Sequence, residues 1–295
     1  MSIFTGAAVA LITPMKENGD VNFEEMKRLV DDQINAGTDA IVVCGTTGEA
    51  STLTHEEHLE CIKACVDFVG KRVPVIAGTG SNCTKTAVYL SKEAYERGAD
   101  ALLVVSPYYN KATQNGLKAH FTEIAKNVDL PMILYNIPGR TGCNILPQTI
   151  VDLANNVENI VAVKDATGDI SQVAQLLSMA EGKVDVYSGN DDQIVPLLSL
   201  GGKGVISVLS HVAPKDTHDM VALYLEGKVE ESRKLQLKYI SLCKALFCEV
   251  NPIPVKAAMN MMGYNVGTLR MPLTEMEEAH AAVLRAELQK LGIIS

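Results

Sequence analysis

One lysine lies at the end of an apolar segment, where burial of its charge would cost free energy. The stretch VAVKDATGD, residues 161–169, places Lys164 after β-branched residues and directly before Asp165. Burial disfavours the ammonium form, so an amine at such a site loses its proton more easily. The neutral amine can attack a ketone to form an imine, which lets the neighbouring carbon lose a proton and become a nucleophile. Lys164 is therefore a candidate nucleophile.

An ion pair with Asp165 or with a distant carboxylate is the alternative explanation for Lys164. Neighbouring residues of a strand point to opposite sides, so Asp165 is poorly placed as its partner. The residues that follow the other apolar segments favour the reactive interpretation. Threonine and tyrosine hydroxyls there can pass a proton along a short chain, and an arginine presents a planar fork to a substrate carboxylate.

Short polar motifs follow the apolar segments. Histidine and carboxylate clusters are nearly absent from them, which argues against a metal site or a histidine-based triad. Two glycine loops, GTTGE and GTGS, could hold a phosphate through backbone N–H groups. Neither matches a P-loop, and ordinary turn formation is the alternative explanation for both. The motifs are GTTGE (45–49), GTGS (78–81), SPYYNK (106–111), YNIPGRTG (135–142), SGND (188–191) and SVLSH (207–211).

Eight apolar segments alternate with amphipathic ones and predict the scaffold. Each is continuously apolar, as strands covered on both faces of a parallel sheet are. The alternation predicts an α/β fold, a (β/α)8 TIM barrel, whose chemistry lies at the carboxyl ends of the strands. A doubly wound sheet is the alternative, but no G-x-G-x-x-G follows the first strand. The predicted strands are 7–12, 39–44, 73–78, 100–105, 131–135, 160–164, 184–188 and 204–208.

Strand patterns stop after about residue 210, and the rest of the chain predicts helices. No serine- or glycine-rich linker intervenes, so we expect a catalytic barrel over residues 1–225 and a C-terminal α-helical domain over 226–295 that packs on it. Asn22, Thr54 and Asp169 are predicted caps of earlier helices, and Thr274 with Glu277 is a predicted capping box for the last one. The predicted C-terminal helices are 214–226, 228–247, 252–262 and 274–291.

Composition restricts function and location. The 295 residues carry a net charge of −9 and no basic run that offsets it, which argues against a nucleic-acid-binding surface. The N-terminal apolar run is short and lacks a basic leader, so neither a signal peptide nor a membrane span is expected. The seven irregularly spaced cysteines are expected to be free thiols, and we expect a cytoplasmic location.

Taken in order, the motifs resemble those of the dihydrodipicolinate synthase (4-hydroxy-tetrahydrodipicolinate synthase) family, among the pyruvate-dependent class I aldolases and lyases. The resemblance covers essentially the whole chain, from FTGAAVALITPM through GTTGE, PVIAGTGSN, SPYYNK, LYNIPGRTG, VKDATGD and GVISV to NPIPVK. It implies a lyase that condenses pyruvate with L-aspartate 4-semialdehyde to 4-hydroxy-tetrahydrodipicolinate, on the diaminopimelate route to lysine. It also implies a homotetramer built as a dimer of dimers, and no metal or organic cofactor.

The resemblance assigns four catalytic residues. Lys164 would form the Schiff base with pyruvate, and Tyr135 beside it would donate and accept protons. Thr46 and Tyr109 would complete a proton relay, with Tyr109 reaching into the neighbouring subunit's site.

The resemblance also assigns substrate-binding residues. Thr47 would hold the pyruvate carboxylate, with the backbone at Ile206 and Gly189 nearby, and Arg140 would bind the carboxylate of the semialdehyde. Sialic-acid lyase relatives typically have serine in place of Thr46 and lack the arginine, so Arg140 favours the dipicolinate branch.

Some relatives are inhibited by lysine, and the resemblance places the matching positions in this chain. A glutamate that would hold the effector's amine is replaced here by Thr86, so we expect weak inhibition or none. The matching positions include Ser51, His55, His58, Asn82 and Tyr108.

Two other functions stay open at the level of sequence. One is a retro-aldolase that cleaves a longer 2-keto acid through the same Lys164 imine. The other is a barrel without catalysis that binds a keto acid, which the set of Lys164, Tyr135, Thr46 and Tyr109 argues against.

Overall fold

The computed structural model describes residues 2–295, and within them eight parallel strands close into a barrel in chain order, β1 to β8. Closure is made by β1 and β8, where Ala8 pairs with Ile206. The predicted (β/α)8 barrel is thus confirmed, and the predicted strand ends lie within two residues of the observed ones. The strands are β1 Gly6–Ala10, β2 Ala40–Val43, β3 Val75–Gly78, β4 Ala101–Val105, β5 Met132–Asn136, β6 Ile160–Asp165, β7 Asp185–Ser188 and β8 Gly204–Ser207.

Helices connect the strands and continue beyond the barrel. The short helices α5 and α8 lie within loops after β5 and β7 and were not predicted. The helices are α1 Phe23–Asn35, α2 His55–Val69, α3 Thr84–Glu96, α4 Gln114–Ala125, α5 Pro138–Thr141, α6 Pro147–Asn156, α7 Ile170–Ala180, α8 Ile194–Ser199, α9 Pro214–Leu225, α10 Val229–Leu246, α11 Ile253–Met261 and α12 Glu278–Lys290. None in the described part of the chain is long and apolar enough to cross a membrane.

Side-chain caps set several helix starts as predicted. Asn22, Thr54 and Asp169 each accept a hydrogen bond from the backbone N–H three residues later, and Thr54 forms a complete capping box.

The capping box predicted at Thr274 is wrong, because α12 begins at Glu278 and has no side-chain cap. The backbone N–H of Glu277 donates instead to Oε1 of Glu249, at 3.0 Å. A carboxylate from the segment after α10 therefore occupies the place of a local cap.

Close backbone contacts bring the carboxyl ends of β2 and β3 together. A Cβ on Gly78 would lie 2.2 Å from the carbonyl oxygen of Cys44, so only glycine allows this approach. Cys44 itself has a φ of 55°, in the left-handed region that non-glycine residues rarely adopt. The loop that carries Thr46 and Thr47 begins directly after Cys44.

Candidate active site

Lys164 lies at the carboxyl end of β6, where it is 5% exposed. Its Nζ is 4.4 Å from the centre of the Tyr135 ring, and the two residues are paired across β5 and β6. A Cβ on Gly189 would lie 3.0 Å from Lys164 Cε, so glycine at that position leaves the lysine its space.

The environment of Lys164 favours the neutral amine. Burial lowers the pKa of Lys164 from its ordinary 10.5 to about 8, the Arg140 charge acts in the same direction, and Asp191 opposes both. A far larger share of the amine is therefore neutral near physiological pH than in an ordinary lysine, and nucleophilic attack on a ketone requires the neutral form.

Asp165 is not the partner of Lys164. Its Oδ1 accepts from the backbone N–H of Thr167 at 3.0 Å and from the Thr167 hydroxyl at 2.7 Å. The carboxylate thus stabilises the turn after β6, as its position on the opposite side of the strand indicated.

Tyr135 lies directly beside the lysine at the end of β5. Burial raises the pKa of Tyr135 to about 12, although the Arg140 charge and a hydrogen bond involving Thr46 act against this. The phenol therefore keeps its proton at neutral pH, and it can donate this proton and recover it within one reaction cycle.

Thr46 and Thr47 begin a tight turn after β2. The backbone N–H of Glu49 donates to the carbonyl of Thr46 at 3.1 Å, which closes the turn. Thr47 is buried, and its Oγ1 accepts from Nδ2 of Asn251 at 2.9 Å. The two threonines are held on the same face of the barrel as Lys164.

Arg140 projects from the short helix α5. One of its terminal nitrogens donates to the carbonyl of Asn251 at 2.8 Å. With Thr46 and Tyr135, Arg140 lines a cavity of about 400 Å³ at the carboxyl ends of the strands. A carboxylate entering this cavity would meet a guanidinium group and two hydroxyls.

The other predicted site residues have different surroundings. Ile206 is fully buried and pairs with Ala8 across β1 and β8. Tyr109 is 90% exposed with a φ of 75°, and it does not line the cavity of its own chain.

Most of the positions matched to the lysine-inhibition site line the same cavity. Its lining includes Ser51, His55, His58, Thr86 and Tyr108. His58 is buried with its Nε2 2.7 Å from the carbonyl of Gly78, and burial lowers its pKa.

Asn82 does not line this cavity. Its carbonyl instead accepts from Nδ2 of Asn110 at 3.0 Å.

Three residues around the site have roles that the sequence did not reveal: Asn251, Lys256 and Asp191. Asn251 bonds both Thr47 and Arg140, and Lys256 pairs with Glu49 in the threonine-bearing turn. Asp191, in SGND, accepts through Oδ2 from the backbone N–H groups of Val208 and Leu209, which directly follow β8. The available signals were the motifs SGND and NPIPVK, the second of which places Lys256 next to apolar residues.

Within residues 2–295 no group of three or more His, Cys, Asp or Glu side chains is arranged to hold a metal ion. The cysteines described there are free thiols.

Comparisons with known proteins agree on one family. Residues 3–291 match the model of the dihydrodipicolinate synthetase family. A 4-hydroxy-tetrahydrodipicolinate synthase of Lachnoclostridium phytofermentans is 63% identical over 294 residues, which cover 100% of both chains. The dihydrodipicolinate synthase structure from Aquifex aeolicus superposes with a TM-score of 0.96 at 45% identity, covering 98% of this chain and 99% of the other. A structure of a monomeric dihydrodipicolinate synthase variant superposes with a TM-score of 0.97 at 42% identity, covering 99% of this chain and 98% of the other.

Proposed function

The chain belongs to the dihydrodipicolinate synthetase family, and we propose that it condenses pyruvate with L-aspartate 4-semialdehyde through an imine on Lys164. The enzyme is a lyase that forms 4-hydroxy-tetrahydrodipicolinate in the diaminopimelate route to lysine. The observation that carries the proposal is the buried Lys164 amine, 4.4 Å from the ring of Tyr135 and without a bonded carboxylate in the described structure.

The first half of the reaction uses Lys164, Tyr135 and Thr46. The neutral amine of Lys164 attacks the keto carbon of pyruvate, and loss of water gives a protonated imine. The methyl carbon then loses a proton and becomes the enamine nucleophile. Tyr135 and Thr46 carry protons in these steps, which the proximity of their hydroxyls supports.

Four groups bind the substrates in this proposal. Thr47 and the backbone at Ile206 and Gly189 hold pyruvate, and Arg140 binds the carboxylate of the semialdehyde. The buried position of Thr47 and the position of Arg140 in the cavity support these roles.

The second half joins the two substrates. The enamine carbon attacks the aldehyde carbon, and the aldehyde oxygen takes a proton to become the hydroxyl of the product. The amine of the semialdehyde then attacks the imine carbon and displaces Lys164, which closes the ring and restores the enzyme. Because the covalent bond to Lys164 supplies the electron sink, this sequence of steps needs no organic cofactor and no metal.

Borohydride reduction in the presence of pyruvate tests the proposal. We expect mass spectrometry to find one reduced pyruvate adduct per chain, on Lys164, and the untreated enzyme to consume pyruvate only when the semialdehyde is added. Lys164→Arg keeps the charge but not the nucleophile, and it should form no adduct. Absence of the adduct in the wild-type protein would contradict the imine mechanism.

We further propose a homotetramer, a dimer of dimers in which Tyr109 enters the neighbouring subunit's site. The high exposure of Tyr109 within one chain supports this role. One structural relative is a monomeric variant. Sedimentation analysis of this protein should give the mass of four chains, and the mass of one chain would contradict the tetramer. A cytoplasmic location stays a prediction.

A further inference from the structure

The C-terminal helices reach the turn between β2 and α2 through a buried ion pair. Nζ of Lys256, in α11, lies 2.7 Å from Oε1 of Glu49, and both side chains are 1% exposed. Lys256 also donates to the carbonyl of Thr268 at 2.6 Å, and Glu49 Oε2 accepts from the backbone N–H of Arg270 at 3.0 Å. Lys256 thus has two acceptors, and each carboxylate oxygen of Glu49 accepts one hydrogen bond.

Glu49 closes the turn that begins at Thr46. Its backbone N–H bonds the Thr46 carbonyl, and its φ of 54° lies in the left-handed region. A non-glycine residue keeps this conformation only when the surrounding structure enforces it. The ion pair with Lys256 and the hydrogen bond from the Arg270 N–H hold the side chain of Glu49 in this conformation.

We propose that Lys256 and Glu49 are positioning residues for the reaction, whose ion pair holds Thr46 and Thr47 facing the pyruvate site. This inference rests on the proposed function, from which the roles of the two threonines come. Asn251 supports it, because its Nδ2 donates to Thr47 Oγ1 at 2.9 Å. The C-terminal part of the chain therefore contacts the turn at two points, Glu49 and Thr47.

A purely stabilising role and a positioning role of the Glu49–Lys256 ion pair predict different outcomes when both residues are replaced. The desolvation of two buried charges offsets most of their attraction, and apolar replacements of similar size are often neutral. Removal of one partner alone leaves an unpaired buried charge, which is strongly destabilising. If the pair only stabilised the fold, an apolar double variant would keep full activity.

The test compares the double variant Glu49→Met/Lys256→Met with Lys118→Met, a control that breaks the Lys118–Asp152 pair on the outer helices. Active sites are counted by borohydride trapping of pyruvate, and kinetic constants are expressed per trapped site. We expect the double variant to fold. Its kcat should fall and its KM for pyruvate should rise, each by about 10- to 100-fold, because a displacement of reacting groups by roughly 1 Å has an effect of this size. The control should match the wild type. Wild-type constants in a folded double variant would overturn the inference.

Glu49→Gln provides a second test if the double variant does not fold. Glutamine fills the same space but accepts at only one of the two positions, so either Lys256 or the Arg270 N–H faces an NH2 group. A raised KM for pyruvate in Glu49→Gln, measured below the Tm of this variant, supports the positioning role. A lower Tm with an unchanged KM for pyruvate overturns that role.

Wild-type protein separates the two proposals. A wild type that forms no adduct or does not condense the substrates contradicts the proposed function. An active wild type whose Glu49 and Lys256 variants keep their constants contradicts the positioning role alone.

Discussion

Two lysines are buried within residues 2–295, and the groups around each one separate their roles. Lys256 lies 2.7 Å from the carboxylate of Glu49, which favours its charged form. Lys164 lies over the ring of Tyr135, and burial lowers its pKa to about 8. Burial also lowers the pKa of Lys256, but Glu49 opposes the effect. Lys164 is therefore suited to attack a ketone, and Lys256 to hold a carboxylate in place.

The pKa of Lys164 predicts how imine formation depends on pH. Because only the neutral amine attacks, the rate should rise about tenfold per pH unit well below the pKa and level off above it. The plateau is expected above a pH equal to the Lys164 pKa of about 8, not at the ordinary 10.5. The measurement is the initial rate of cyanoborohydride-trapped adduct as a function of pH. A rate that rises unchanged beyond about pH 9 would show an unperturbed amine.

Arg140→Ala should separate the two substrates. Loss of the guanidinium removes the proposed partner of the semialdehyde carboxylate, a charge-assisted interaction of roughly 1.5–3 kcal/mol. KM for the semialdehyde should therefore rise at least about tenfold, and KM for pyruvate far less. Steady-state kinetics with each substrate varied in turn checks this, and equal effects on both constants would contradict the role.

Thr86 predicts weak inhibition by lysine or none. A threonine hydroxyl cannot replace a carboxylate opposite the effector's ammonium group, and a charge-assisted bond of roughly 1.5–3 kcal/mol is lost. Thr86→Glu should therefore increase sensitivity to lysine, with Thr86→Gln as an uncharged control. A lysine titration of the three proteins measures this, and strong inhibition of the wild type at sub-millimolar lysine would refute the prediction.

At the scale of elements, short loops at the carboxyl ends of the strands carry the site, and helix caps fix where the loops end. The turn with Thr46 and Thr47 is followed by the capping box of Thr54 and Glu57, which begins α2. Loss of this cap should weaken α2 without removing any group that contacts substrate.

Thr54→Ala is expected to lower the free energy of unfolding by about 1 kcal/mol, since the N–H of Glu57 loses its acceptor. Thr54→Ser keeps the hydroxyl and should retain most of the stability. Denaturant unfolding of the three proteins gives the comparison. An alanine variant as stable as the wild type would contradict the stabilising role of this cap.

At the scale of the whole molecule, the position of Tyr109 predicts complementation between subunits. Tyr109→Phe and Lys164→Ala should each be nearly inactive. A mixed dimer holds one site with an intact Lys164 and the neighbour's intact Tyr109, so random reassociation should restore about one quarter of wild-type activity. Activity after mixing, dissociation and reassociation measures this. No recovery, with mixed dimers demonstrated, would place Tyr109 outside the neighbour's site.

Much of the molecule follows from local sequence. The eight strands are predictable because each is a short apolar run bounded by turn residues, and three caps are predictable from spacing alone. The start of α12 at Glu278 could not be predicted in this way, because the backbone N–H of Glu277 donates to Glu249, which lies in an earlier segment.

The sequence by itself determined the order of the strands, the polar residues at their ends and the motifs that place the chain in its family. Only the tertiary structure decided which of those residues share an environment. The barrel brings Lys164 over Tyr135, which desolvates the amine. The structure likewise joins Glu49 to Lys256, 207 positions further along the chain. Burial and long-range pairing depend on how the elements pack, and no local pattern of residue types contains that information.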